Sequence, residues 1–178
     1  MTGHKQAAAD YRNTARGFAK KWMSLAVEGD HYKLAFDQSG SWSQKYNLVW
    51  DKLLNLQVFP PEIARREIAF YQTKQNKYGL PLDNRKDYTK LDWILWTATL
   101  TDDPSAFKAL VVPAYRFANE SPSRVPLSDW YDTVTSKQQG FQARSVVGGI
   151  FIKMLENPEI WHKYSSRNHE TPAARSGQ

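Results

Sequence analysis

Apolar residues recur with helical spacing in six places along the chain, in two alternating styles. Over 5–28, Tyr11, Ala15, Phe18, Trp22 and Leu25 fall at alternating steps of four and three, while Lys5, Arg12, Arg16, Lys20 and Lys21 lie off that stripe. This spacing predicts a helix with one apolar face. Over 43–56, Tyr46, Leu48, Val49, Trp50, Leu53, Leu54 and Leu56 wrap most of the circumference, the mark of a helix that wants burial on nearly every side. The third helix opens at Pro61, a favoured first-turn residue, and is expected to stop before Gly79, with a narrow stripe of Ala64, Ile68, Tyr71 and Tyr78. The fourth, 89–100, is again apolar all round: Leu91, Trp93, Ile94, Leu95, Trp96, Ala98 and Leu100. The fifth opens with Asp103 as cap and Pro104 in its first turn. Its single face is Phe107, Leu110, Val111, Ala114 and Ala118, and Pro113 is expected to kink it. The sixth, 141–155, carries Val146, Val147, Ile150, Phe151, Ile152, Met154 and Leu155. It also holds Gly148-Gly149, which weakens a helix unless close helix packing or a backbone approach requires it. The polar stretch 157–178 is expected to be a frayed tail behind a helical region of 1–156.

Helices one, three and five are one-faced, whereas two, four and six are apolar nearly all round. An all-α fold of paired outer and inner helices, that is, of α/α hairpins, follows from this alternation. The links from inner to outer helix are short, at 57–60 and 101–103. Those from outer to inner helix are long, at 29–42, 79–88 and 120–140. In a stack of antiparallel hairpins all the long links lie at one end. Trp42, Asp92 and Asp129 are therefore expected near one another, on the kind of loop cluster where function concentrates.

Composition narrows the picture only a little. Apolar residues at 41 % and charged residues at 24 % are those of an ordinary globular domain, and aromatics are rich at 13 %. The net charge of +6 would admit an anionic partner, but Lys and Arg are dispersed without any block of like charge, which speaks for a solvated basic surface and against nucleic acid. With no cysteine, thiol and disulfide chemistry are excluded. His4, His31, His162 and His169 are scattered and resemble no metal site, so no metal and no cofactor is expected. No segment is apolar for long enough to span a bilayer, and the opening MTGHK lacks the apolar core of a signal peptide.

The long links carry the candidate chemistry. Asp92, in the first turn of the fourth helix beside Trp93, reads either as a general base or substrate-amine anchor, or as a carboxylate complementing the helix dipole. Asp129 and Asp132 flank Trp130 and Tyr131, and either divide acid and base work or fix turns. Arg144 would suit an amino acid's α-carboxylate bidentately, or an ion pair to Asp129 or Asp132. Arg85 and Lys90 have the same two readings. Trp42, Tyr88, Trp93 and Trp130 either line a substrate pocket or simply pack. Ser41, Ser43, Thr89 and Ser145 have no histidine partner in view and read as caps, the first two before helix two and Thr89 before helix four.

Three blocks, 41–54 (SWSQKYNLVWDKLL), 78–96 (YGLPLDNRKDYTKLDWILW) and 124–149 (RVPLSDWYDTVTSKQQGFQARSVVGG), resemble signature segments of the microbial secreted glutaminase family of the glutaminase A type. The resemblance extends over most of 5–156. It implies an architecture similar to the (α/α)6 six-hairpin toroid, of which three hairpins are about half. It also implies hydrolysis of L-glutamine to L-glutamate and ammonia by an exported parent protein. This chain would then be the C-terminal portion of the catalytic domain, with any export signal outside it. Its expected partners are the amino-acid substrate and either the N-terminal half of the parent or a second copy. The same toroid and paired carboxylates would also fit a glycoside hydrolase, and half a ring would fit a non-catalytic helical interaction module.

Overall fold

A computed structural model describes residues 4–165. Helices dominate, in the order α1 (Lys5–Ala26), α2 (Leu48–Leu53), α3 (Pro61–Gln72), α4 (Leu91–Ala98), α5 (Pro104–Glu120), a 3₁₀ helix (Ser145–Glu156) and α6 (Pro158–Ser165). Two small antiparallel ladders accompany them. One pairs β1 (Val27–Glu28) with β2 (His31–Tyr32), and the other pairs β3 (Tyr88–Lys90) with β4 (Trp130–Asp132).

α4 is the hub. Leu91, Ile94, Leu95 and Ala98 are buried, as expected of an inner helix, and the 3₁₀ helix and α5 pack against it. The one-faced α5 turns Ala106, Leu110, Ala114 and Phe117 into the core and begins as predicted, with the Asp103 carboxylate accepting the Ser105 N–H at 2.8 Å. It runs through Pro113 as one helix. α3 begins at Pro61 and buries Ile63, Ile68, Phe70 and Tyr71.

Several expectations need correction. The helix expected over 43–56 is only the six residues of α2, because the preceding stretch is extended: Ser43 bridges to Asp83, and the Gln44 N–H donates to Leu82 O at 2.8 Å. α3 stops at Gln72 rather than just before Gly79. The sixth helix is 3₁₀ rather than α, and it exposes Phe151 and Met154 where all-round burial was expected. The polar tail opens with α6, an ordered but unburied helix, while 166–178, including His169, lie outside the described residues. The serine and threonine caps also fail. The N-cap positions of α2 and α4 are Asn47 and Lys90, neither with a side-chain cap, and Thr89 Oγ1 instead accepts from Gln44.

The long links are sewn together by buried polar groups. Gln44 Nε2 donates to Leu80 O, Pro81 O and Thr89 Oγ1, and its Oε1 accepts from Thr97. Lys45 Nζ donates to Tyr32 O, Ser43 O and Ser43 Oγ, while Glu67 of α3 accepts the Tyr32 N–H at 2.7 Å. Replacing Gln44 by Ala strands at least the two carbonyls. Each buried group left unpaired costs about 1–3 kcal/mol, so urea unfolding of Gln44→Ala is expected to show a lowered midpoint with an unchanged slope.

A carboxylate site where the long links meet

The β3–β4 ladder draws the second and third links together. Its register sets Lys90 opposite Trp130 and Tyr88 opposite Asp132, and the Leu91 N–H donates to Asp129 O at 2.6 Å. Asp129 thus comes to the start of α4, where Asp92 occupies the first turn. The first link joins through Trp42, whose N–H donates to the Asn84 side chain at 2.9 Å.

Two carboxylates meet here in unlike surroundings. Asp129 is 1 % exposed, and its Oδ2 faces Lys90 Nζ at 3.2 Å and Arg144 at 3.5 Å. Lys90 also lies over the Trp130 ring, 4.3 Å from its centroid, and Arg144 lies over Phe141 at 5.1 Å. Asp92 has no cation of its own at contact distance among the described residues. Burial, followed by the Asp129 charge, pushes its carboxyl above the usual aspartate range. A raised carboxyl suits acid–base work, whereas one that faces two cations suits holding a charge in place. Six buried side-chain atoms among the described residues have no hydrogen-bond partner: Asp92 Oδ1, Asp129 Oδ1 and Trp130 Nε1 belong to this region, and Glu67 Oε2, Gln75 Oε1 and Glu156 Oε1 lie elsewhere.

The rings beside them are ordered. Trp93 stacks on Tyr46 with centroids 4.2 Å apart and planes 6° from parallel, and Tyr88 meets Trp130 edge-on at 5.6 Å. Gly140 fixes the approach of the third link. It adopts φ +53°, and a Cβ there would fall 2.3 Å from the Trp130 ring. Tyr46 also lines a cavity of about 560 Å³ whose walls include Trp22, Trp50 and Phe59.

The remaining candidates separate from this group. Asp132 Oδ1 accepts from Val134 N, Thr135 N and Thr135 Oγ1, which uses it to build a turn; against the pull of burial, these bonds hold its carboxyl low. Arg85 folds back on Asp83 in its own link. Trp42 is buried against Phe70 and Tyr71, so its ring packs rather than lines a pocket. Among the described residues no group of three or more His, Asp or Glu could hold a metal ion. Tyr46 and Gly149 escaped the sequence reading. Tyr46 lies on an apolar helical stripe that reads as core, and the pair Gly148-Gly149 points to close packing or a backbone approach without saying which glycine needs it or against what.

Comparison with known proteins bears on the whole region. The chain is 32 % identical over 161 residues to Glutaminase A of Aspergillus oryzae, covering 86 % of this chain and 23 % of that protein. It is 28 % identical over 173 residues to a probable glutaminase of Arthroderma benhamiae, covering 79 % of this chain and 20 % of that protein. The chain therefore spans about a fifth of the length of the curated relatives it matches. No solved structure matches it significantly. The family model described as the glutaminase A six helical-hairpin domain matches residues 1–154, and the chain belongs to that family.

Proposed function

We propose that this chain contributes to a site that hydrolyses the side-chain carboxamide of L-glutamine to L-glutamate and ammonia. The observation that carries the reading is that three of the buried atoms without a partner belong to residues at the start of α4 and in the third link: two carboxylate oxygens and one indole N–H. Two acceptors and one donor complement a primary carboxamide, which offers two N–H groups and one C=O. The names of both relatives, Glutaminase A and a probable glutaminase, support the same substrate.

In this reading Asp92 is the general base. Burial raises its carboxyl above the usual aspartate range, the direction that favours proton abstraction from water. The water oxygen attacks the amide carbon as Asp92 takes one of its protons. Asp92 then returns that proton to the amide nitrogen, the C–N bond breaks and ammonia leaves. Asp129, paired with Lys90 and Arg144, accepts an amide N–H and stabilises the positive charge growing on the leaving nitrogen. Trp130 Nε1 donates to the amide oxygen as it becomes anionic. The outer fork of Arg144 suits the substrate's α-carboxylate, while Tyr88, Lys90 and Trp93 hold the walls.

The chain supplies three hairpins, about half of a six-hairpin toroid, with the parent protein exported and the remaining helices completing the pocket. Exposed Tyr11 and Phe18 on α1, and Phe151 and Met154 on the 3₁₀ helix, support missing cover. Light scattering on the isolated chain is expected to show dimers, aggregates or association with an added N-terminal half. A stable monomer that binds no apolar dye would overturn the half-ring reading. The function itself is tested by assaying the full-length protein for ammonia release from glutamine beside sugar release from aryl glycosides. Ammonia alone is expected. Sugar release would point to a glycoside hydrolase, and neither product to an interaction module.

A further inference from the structure

We infer that Gly149 is a positioning residue for Asp92: it lets the peptide backbone of the 3₁₀ helix lie directly on that carboxylate's root, so that the base is roofed by main chain. The inference rests on the reading of Asp92 given above. Asp92 and Trp96 stand one turn apart on the same face of α4. A Cβ added at Gly149 would fall 2.9 Å from Asp92 Cβ, closer than real Cβ atoms come, and 3.0 Å from Trp96 Nε1, which would have to give way. Neither contact is with the free end of a flexible chain: one is the first carbon of Asp92, the other an indole nitrogen already bonded. Trp96 Nε1 donates to Gly149 O at 3.2 Å, which fastens the roof to the helix it covers.

The adjacent glycine supplies the contrast. A Cβ at Gly148 meets nothing within 4 Å, and neither glycine has the positive φ that would demand glycine on backbone grounds. Only position 149 is therefore constrained, and by space alone. Trp96 carries the constraint onward, meeting Tyr46 at 6.2 Å and Trp50 at 5.2 Å edge-on. The roof excludes water from one side of Asp92, which accounts for an oxygen buried without a partner. The other ionisable groups facing Asp92 are Asp129 from the third link, Lys90 from β3 and the Tyr46 hydroxyl from the stretch before α2. None of them belongs to the 3₁₀ helix, so a substitution at 149 changes hydration and position without adding or removing a charge.

The test reads Asp92 directly, by carboxylate ¹³C titration, and in parallel by the pH profile of kcat/KM for glutamine, both in the full-length protein. Gly149→Ala is expected to lift the roof, bring the Asp92 midpoint down toward the ordinary aspartate range, move the acid limb of kcat/KM to lower pH, and lower kcat about tenfold or more. Gly148→Ala is expected to change neither readout. Trp96→Phe keeps a ring but removes the bond to Gly149 O, and is expected to shift the midpoint in the same direction by less. A folded Gly149→Ala protein that titrates Asp92 as the wild type does overturns the inference, as does Gly148→Ala shifting it equally. If Gly149→Ala does not fold, an unchanged midpoint in Trp96→Phe overturns it. Turnover surviving in Asp92→Asn would instead sink the assignment of the base while leaving the titration result standing.

Discussion

Asp92→Asn and Asp129→Asn, made in the full-length protein, are each expected to lower glutamine turnover about a hundredfold or more, the usual contribution of a positioned acid–base group for the first and of preorganised electrostatic stabilisation for the second. The two losses arise differently. In Asp92→Asn the new amide has the right shape but cannot take the proton of the attacking water. In Asp129→Asn the new side chain can still accept an amide N–H, but it lacks the charge that Lys90 and Arg144 hold in place, so the leaving ammonia loses its stabiliser. Stability separates the roles further. The folded-state pKa of Asp92 is raised, so the stability linked to it is present below the unfolded aspartate value, about 3.9, and is lost as pH rises through the folded value. At neutral pH the wild type carries that deficit and Asp92→Asn does not. The inactive Asp92→Asn protein is therefore expected to melt at or above the wild-type temperature at about pH 7, with the gap closing near about pH 4. If both variants keep turnover within about threefold of wild type, a barrier change under about 1 kcal/mol, neither carboxylate performs the chemistry.

Much of this site was legible because the long links announced themselves. Asp103-Pro104 and Pro61 marked helix starts through local chemistry, and α4 is apolar all round because it is surrounded. The stretch before α2 was not legible. Its apolar spacing is helical, yet Ser43 and Gln44 pair with residues about forty positions later, and such partners leave no trace in a local pattern. The 3₁₀ helix was missed for a related reason. The contact that Gly149 makes with Asp92 and Trp96 lies between elements more than fifty residues apart, whereas sequence shows only that a glycine is there. Asp132 differed from Asp129 in a readable way, since Asp-Thr-Val-Thr carries the hydroxyls and N–H groups of a side-chain-closed turn. The pairing of Asp129 with both Lys90 and Arg144 depended on the β3–β4 register, which neither short strand proclaims.

The largest effect on stability is expected from Phe117→Ala. Phe117 is fully buried on α5 and stacks face to face on Tyr131 of β4, with centroids 3.5 Å apart and planes 6° from parallel. Tyr131 is likewise fully buried, and its hydroxyl donates to Tyr78 O at 2.9 Å. Removing the Phe117 ring leaves a cavity beneath the strand that carries Trp130 and follows Asp129, and such truncations cost about 3–5 kcal/mol. That is a large share of the roughly 5–15 kcal/mol that holds a typical domain together. Tyr131→Phe, which keeps the stack and leaves only the Tyr78 carbonyl unpaired, is expected to cost about 1–3 kcal/mol. Urea unfolding of both variants, with turnover followed on heating, checks the ranking. In Phe117→Ala, activity is expected to be lost at a lower temperature than helical signal, because β4 positions Asp129 and Trp130 while α1 and α3 have their own contacts. A change below about 1 kcal/mol in Phe117→Ala, far under the usual cost of such a truncation, would show that the strand is held elsewhere and that the core does not set the geometry of the site.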